Sequence, residues 1–246
     1  MVIVHWSLED RAVETASYRL PITDYRLPIT DYRLPITDYR LPITDYQYNR
    51  ILIMSLALWR SPLARALHRN RSLAYARYLQ LATVRADGRP ANRTVVFRGF
   101  LADTNQLKFI TDIRSQKVEE INLYPWGEIC WYFPKTREQF RIAGKLVLVG
   151  QDCLDSELCT GRGTAWQELS EGARVQFAWP RPGAEKADVS AFECAAPDAI
   201  APLPNFCLLL LEPETVDLLE LRGEPQNRSL YGRDGEGNWF VRSVNP

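Results

Sequence analysis

From Leu79 onward the sequence is patterned for a sheet, and a mainly β fold with flanking helices follows from three observations. Short β-prone runs are separated by turn residues, side chains within those runs alternate between two faces, and helical spacing is confined to three segments. Several short strands with regular turns favour a barrel over an open stack.

The first helix is expected after Ser61-Pro62, with Ser61 as N-cap and Pro62 in the first turn, where a missing N–H costs nothing. Leu79–Val84 is apolar and β-prone, and Asp87-Gly88 supplies residues that tolerate positive φ in a tight turn. Asn92–Arg98 resumes as a strand, with Arg93, Val95 and Phe97 on one face and Thr94, Val96 and Arg98 on the other. Leu107–Thr111 is the next strand, and Ser115–Leu123 a short helix with Ser115 as N-cap. Glu128–Phe133 is closed by Pro134, and Gln139–Val149 alternates, Gln139, Arg141 and Ala143 opposing Phe140, Ile142 and Gly144. Residues 155–177 read as one helix with Trp166, Leu169 and Phe177 as apolar anchors, and the Pro-, Ala- and acid-rich stretch 180–204 as a long, mobile loop. Phe206–Leu211, Thr215–Leu221, Arg228–Tyr231 and Trp239–Val244 complete the sheet, the last pair joined by a turn at Asp234–Gly237. Trp131, Tyr132 and Phe133 read as sheet core, and Cys130 and Cys207 as buried small hydrophobes.

Composition narrows the chemistry. With 46% hydrophobic residues, the 246-residue chain can build a core without disulfides or metal. Its formal net charge of zero points to neither nucleic acid nor membrane as a partner, and the basic residues Arg60, Arg65, Arg69, Arg71 and Arg77 read as a solvated helix face. No apolar run approaches the roughly 20 residues a spanning helix needs. The five cysteines are odd in number and lack a C-x-x-C pair, which fits a reducing cytoplasm. Only His5 and His68 are available for any Ser-His-Asp, Cys-His or His-rich metal arrangement, and neither has suitable neighbours. Redox chemistry on this chain therefore calls for an organic cofactor.

Residues 1–53 stand apart. Tyr-Arg-Leu-Pro-Ile-Thr-Asp occurs four times without error across Tyr18–Asp45, and the proline in each unit excludes a coiled coil. Perfect identity suggests recent expansion of a DNA repeat, so 1–53 is expected to be a non-native or disordered extension and 54–246 the working domain, beginning at Met54. The intact mass of the protein from its native cell is expected to correspond to Met54–Pro246, and any species starting earlier would refute that boundary.

Three features converge on an anion site. Arg93 lies on a strand, Thr111 ends the neighbouring one, and Ser115 and Lys117 open a helix whose free N–H groups and dipole attract phosphate. Neither G-x-x-x-x-G-K nor G-x-G-x-x-G is present, so a P-loop or Rossmann site is not indicated.

At these residues the sequence resembles the pyridoxamine 5′-phosphate oxidase family. The resemblance runs over about residues 72–246, through Ala82-Thr83-Val84, Asp87-Gly88-Arg89-Pro90, Arg93-Thr94-Val95-Val96, Phe109-Ile110-Thr111, Ser115-Gln116-Lys117, Phe133-Pro134, Glu138-Gln139, Gly144-Lys145, Pro202-Leu203-Pro204, Arg228-Ser229-Leu230-Tyr231 and Trp239. Trp166-Gln167-Glu168-Leu169-Ser170, Arg174, Phe177 and Trp179-Pro180 resemble a subfamily of oxidase-related FMN-binding proteins, whose natural start Met54-Ser55-Leu56-Ala57 also resembles. The resemblance implies an FMN-binding split β-barrel that works as a homodimer, with each FMN site built across the interface. Arg93 and Lys117 would bind the FMN phosphate, with Thr111, Ser115 and Gln116 beside it. Thr94, Val95 and Val96 would run along the isoalloxazine, and Gln139 and Arg228 would touch the flavin. The implied reaction is hydride transfer from pyridoxamine or pyridoxine 5′-phosphate to FMN and then to O2. The alternatives are an FMN-dependent reductase with another small-molecule substrate and a non-catalytic FMN-binding protein.

The substrate side departs from the family pattern. An Arg-x-His pair expected shortly before the flavin arginine is replaced by Glu224-Pro225-Gln226-Asn227, a flavin-contacting tryptophan by Leu221, and a substrate-phosphate lysine by Arg98. Ser115-Gln116-Lys117 replaces a more basic triplet, and Arg114 is the candidate for supplying the missing charge.

Overall fold

A computed structural model describes residues 56–246; the heptapeptide repeats and the Met54 boundary lie outside the described residues. The helices are α1 (Arg60–Asn70), α2 (Gln116–Leu123), α3 (Ser156–Gln167) and α4 (Glu171–Val175), with short 3-10 turns at Ala74–Arg77 and Val189–Phe192. The strands are β1 (Tyr78–Val84), β2 (Pro90–Val96), β3 (Leu107–Asp112), β4 (Trp126–Phe133), β5 (Glu138–Val149), β6 (Phe206–Glu220), β7 (Asn227–Arg233) and β8 (Trp239–Val244). None of the described helices is long and apolar enough to cross a membrane.

All strand pairs are antiparallel, in the order β2-β1-β4-β5-β6-β7-β8. The sheet branches at β6. One edge of that long strand is covered by β5, while the other carries β3 along Phe206–Leu211 and then β7 along Val216–Glu220. The ladders among the described strands do not close into a ring.

The sequence reads Phe206–Leu211 and Thr215–Leu221 as two strands, whereas the structure joins them through Pro213 in one, β6. The extra residue is absorbed in a bulge, where Ala143 pairs with Thr215 and Gly144 with Pro213, so the missing proline N–H falls where the ladder is already interrupted. The bulge also keeps Leu209 and Leu211 on the same side as Val216 and Leu218. Gly144 permits the close approach, since a Cβ there would lie 1.9 Å from the Glu212 carbonyl oxygen. Gly144→Ala is expected to destabilise the fold by about 1–3 kcal/mol, because backbone must move to admit the methyl. An unchanged urea midpoint would contradict this account of the bulge.

Two apolar clusters flank the sheet. The larger contains Leu79, Leu81, Phe97, Phe109, Trp131, Phe133 and Phe140, with Trp59 and Leu63 from the start of α1. The smaller forms where α3 covers β3, β5 and β6, around Trp166, Phe177 and Phe206. Trp131 and Phe133 are core as expected, but Tyr132 points to the opposite face and is exposed, as alternation within β4 requires. Cys207 is buried, while Cys130, on the same face as Tyr132, is only partly so.

The α1 start is displaced from the expected Ser61 cap. Trp59 occupies the N-cap position and Ser61 lies inside the helix. Tertiary anchors set this start: Trp59 is buried against Phe100 and Trp239, and Arg60 stacks on Phe100 and donates to the Thr104 carbonyl at 2.5 Å. Pro62 still falls in the first turn, where it breaks no bond. The expected 155–177 helix is two helices divided at Glu168–Ser170, the first capped by Asp155, which accepts from Glu157 N and Leu158 N. Residues 180–204 are loop apart from one 3-10 turn, fastened by Trp166 Nε1 on the Asp198 carbonyl and Arg162 on the Leu203 carbonyl.

Candidate functional site

The β3–α2 corner assembles four of the expected residues. Alternation along β3 puts Thr111 on the buried face with Leu107 and Phe109. The chain then turns, Ser115 N donating to the Asp112 carbonyl, and enters α2. Lys117, in the first turn of α2, reaches back so that Nζ donates to Thr111 Oγ1 at 2.8 Å and Ser115 Oγ at 3.2 Å. Ser115 holds the N-cap position, but its hydroxyl makes no cap bond and instead lies 3.2 Å from Thr111 Oγ1.

Arg93 approaches from β2. Nη1 donates to the Leu81 carbonyl (3.3 Å) and to Thr83 Oγ1, and Nη2 donates to Glu120 Oε2 at 2.6 Å. Glu120 is almost fully buried on α2, and Thr83 Oγ1 donates to the same carboxylate oxygen at 2.5 Å. Burial lowers the Lys117 pKa from the ordinary lysine value. The neighbouring Arg93 guanidinium lowers it further, against weaker opposing effects of Asp112 and Glu120.

The charges in this corner do not balance. Glu120 is bound to Arg93, and Asp112 is taken by Arg114 at 2.6 Å, while Lys117 forms no salt bridge among the described residues. A largely enclosed ammonium held among the described residues by two hydroxyls, beside a second cation and a helix N-terminus, is a cradle for a dianionic phosphate. The donor set fits the phosphate of a flavin mononucleotide.

Arg114 does not supply the missing charge. Its guanidinium forks onto both Asp112 oxygens, and Nη2 also donates to the Trp179 carbonyl at 3.1 Å. Asn205 Nδ2 joins the same fastening, donating to Asp112 Oδ2 and the Phe177 carbonyl, each at 2.9 Å. Burial pushes the Asp112 carboxyl up, but these bonds from Arg114 and Asn205 outweigh it and hold the group below the usual carboxylate range. The triad ties the base of the 180–204 loop to the end of β3.

The remaining expected residues lie elsewhere. Gln116 begins α2 with an exposed side chain outside the Lys117 hydroxyl cluster. Val95 faces the main core, opposite Leu79. Thr94 and Val96 face the other way. Thr94 heads a cross-strand row through Gln80, Cys130, Arg141, Asp217 and Leu230, which share that outer face. Gln139 and Arg228 lie in the adjacent row on the same face, both across from Leu219.

On this outer face Arg228 donates to Asp217 Oδ1 at 3.1 Å and Oδ2 at 2.8 Å, and Arg141 Nη2 donates to Oδ2 at 2.6 Å. The hydrogen bond from Arg228, reinforced by Arg141, holds the Asp217 carboxyl below its ordinary value despite partial burial. A cavity of about 340 Å³ opens here, lined by Glu128, Arg141, Asp217, Arg228, Phe240 and Arg242. Arg93 and Arg228 are thus on opposite faces, and on strands five inter-strand spacings apart, about 24 Å along the sheet. Within one chain the cradle and the Gln139–Arg228 face are separate.

Arg98 stands apart from both. Its Nε is buried without an acceptor among the described residues, and burial followed by the neighbouring Arg77 lowers its pKa.

Sequence reasoning missed Glu120, Thr83 and Asp217. Two of them left a signal. Glu120 is three residues after Lys117 and so shares its helix face, and Thr83 alternates with Leu79 and Leu81 on a buried strand face.

Residues 56–150 match a family model described as pyridoxamine 5′-phosphate oxidase, FMN-binding domain. A pyridoxamine 5′-phosphate oxidase-related, FMN-binding protein from Nostoc punctiforme is 62% identical in its solved structure. It superposes with a TM-score of 0.76 over 78% of this chain and all of that one. The pyridoxine/pyridoxamine 5′-phosphate oxidase 2 of Arabidopsis thaliana is 38% identical over 194 residues, 78% of this chain and 98% of that protein. Dihydrophenazinedicarboxylate synthase of Pseudomonas chlororaphis is 30% identical over 178 residues, 69% of this chain and 75% of that protein.

Proposed function

The chain belongs to the pyridoxamine 5′-phosphate oxidase FMN-binding family and its cofactor is FMN, and from that premise we propose that it is an oxidoreductase acting on pyridoxamine or pyridoxine 5′-phosphate. The observation that carries the cofactor assignment to particular residues is the convergence of Arg93, Thr111, Ser115 and Lys117 in one cradle. Lys117 and Arg93 hold the FMN phosphate there, the hydroxyls of Thr111 and Ser115 complete its hydrogen bonds, and the start of α2 adds its dipole. FMN, when bound, supplies hydride acceptance from the carbon bearing the amine or alcohol, and reoxidation by O2 with formation of hydrogen peroxide.

The working unit in this reading is a homodimer. One chain supplies the phosphate cradle, and the outer face of its partner copy supplies Gln139 and Arg228 to the flavin ring. The separation of these two groups within one chain supports that division. Exposed Tyr78, Tyr132 and Phe240 give the outer face of the sheet apolar surface to bury. The fold in this reading is a split β-barrel. Its closure runs through the segment after β2, where Arg98 N donates to the Lys108 carbonyl at 2.9 Å and Lys108 N to the Gly99 carbonyl at 2.8 Å. Five free cysteines suit a cytoplasmic protein, and the product would enter pyridoxal phosphate synthesis.

A second reading, a flavoenzyme with another substrate, is favoured by one feature. Glu224-Pro225-Gln226-Asn227 precedes Arg228 and offers no imidazole to a substrate. The likeness to a dihydrophenazinedicarboxylate synthase agrees with a fold that admits other substrates.

Anaerobic stopped-flow mixing of the FMN-loaded protein with pyridoxamine 5′-phosphate tests the choice. Rapid loss of the oxidised flavin band with pyridoxal phosphate as product is expected. An unchanged band at saturating substrate, with bleaching by NADPH alone, would replace the oxidase reading by the reductase one.

A further inference from the structure

We propose that Glu120, with Thr83, is the positioning residue that sets the Arg93 guanidinium for the FMN phosphate. The inference rests on the reading of Arg93 and Lys117 as the phosphate cradle. It starts from which edge of the guanidinium is used. Nη1 donates to Thr83 Oγ1 and to the Leu81 carbonyl, and Nη2 donates to Glu120 Oε2 at 2.6 Å. Thr83 Oγ1 and Glu120 Oε2 are themselves joined at 2.5 Å. The pair therefore spans the end-on edge formed by Nη1 and Nη2. Nε–H and the second Nη2–H, which form the side-on edge, take no acceptor among the described residues. That edge presents two parallel donors, the arrangement that grips phosphate with two bonds.

A surface ion pair would not fix a side chain in this way, because solvent competes for both partners. Here the carboxylate is nearly fully buried and the guanidinium largely so, with side-chain exposures of 4% and 19%. Glu120 also lies one helical turn beyond Lys117, so α2 carries both the ammonium that meets the phosphate and the carboxylate that aims Arg93. The negative charge of Glu120 by itself opposes phosphate binding. Its contribution is orientation, which spares the cost of immobilising a long side chain when the ligand arrives.

The test compares affinities for FMN and for riboflavin, which lacks the phosphate, in wild type, Glu120→Ala and Glu120→Gln. The two variants lose the same charge, but only Gln keeps an oxygen that can accept from Arg93 and Thr83. The preference for FMN over riboflavin is expected to be about tenfold smaller in Glu120→Ala than in Glu120→Gln, with riboflavin affinity nearly equal in the two. Equal preference in the two variants would overturn the positioning role. A general loss of structure would weaken riboflavin as much as FMN and would likewise count against it. Should Glu120→Ala fail to fold, Thr83→Val, which removes one of the two end-on acceptors, is expected to reduce the preference about threefold. No reduction there would also overturn the proposal. A wild-type protein that binds riboflavin as tightly as FMN would instead remove the phosphate cradle itself.

Discussion

Lys117→Met is expected to weaken FMN binding on the order of 10- to 100-fold while leaving riboflavin affinity unchanged, because in the proposed cradle it deletes one charge-assisted contact to the phosphate. Fluorescence titration of the FMN-free protein with each ligand is the measurement. The loss should carry a pH signature. Burial, followed by repulsion from Arg93, places the folded-state pKa of Lys117 below its unfolded value. Between those two values the unfolded chain binds more protons, so the stability of the FMN-free protein rises with pH across the window. The penalty of burying the charge is fully present below the folded-state pKa and relieved above the unfolded one. A phosphate in the cradle favours the charged lysine and raises its pKa, so FMN binding takes up a proton wherever Lys117 is already partly neutral. FMN affinity is therefore expected to fall as pH rises through the lowered lysine pKa. Above its own second pKa of about 6 the phosphate is a dianion and adds no further slope to the profile. Lys117→Met should flatten that profile, and it should not lower the melting temperature of the FMN-free protein, since it removes a partly buried charge that has no salt bridge among the described residues. Equal FMN affinities for variant and wild type would mean that Lys117 does not touch the phosphate.

The legible part of this site was local. Thr111, Ser115 and Lys117 are within seven residues, and the rules for a strand end and a helix start suffice to bring them together. The alternation in β2 and β5 was equally readable, and it correctly separates Arg93 from Thr94 and Gln139 from Phe140. Which of the two faces of each strand meets α2 is a tertiary fact, so periodicity alone could not reveal that the expected flavin residues divide between the two sides of the sheet. The partners of the charges were hidden for the same reason. Glu120 is distant in sequence from Arg93, and Arg114, adjacent to the cradle in sequence, is drawn away by Asp112 and the Trp179 carbonyl. The expected gap between Phe206–Leu211 and Thr215–Leu221 is absent because a proline interrupts a strand only where its N–H is needed, and the bulge opposite Gly144 removes that need at Pro213. Ser61 misled because the buried Trp59 and the stacked Arg60, and not a capping hydroxyl, fix where α1 begins.

The division of the flavin residues between two faces leads to a stronger test. If each FMN site takes its cradle from one chain and its ring contacts from the other, Lys117→Met and Arg228→Ala damage different halves of the site. Arg228→Ala should fold, since Asp217 keeps its 2.6 Å bond from Arg141. In the proposed dimer, each variant alone would have two damaged sites. Co-expressed with different affinity tags and purified through both, they form mixed dimers in which one site carries both defects and the other carries neither. Each mixed dimer is therefore expected to bind one FMN with wild-type affinity, at a concentration where neither parent dimer retains any. If the cradle and Arg228 of the same chain served one site, every site in the mixed dimer would be damaged and no such recovery would occur. A protein that remains a single chain at the concentrations used would give the same null result, and light scattering on the FMN-loaded wild type separates the two cases. Recovery of one tight site per mixed dimer can arise only from a site shared between copies, because neither chain contains both intact halves.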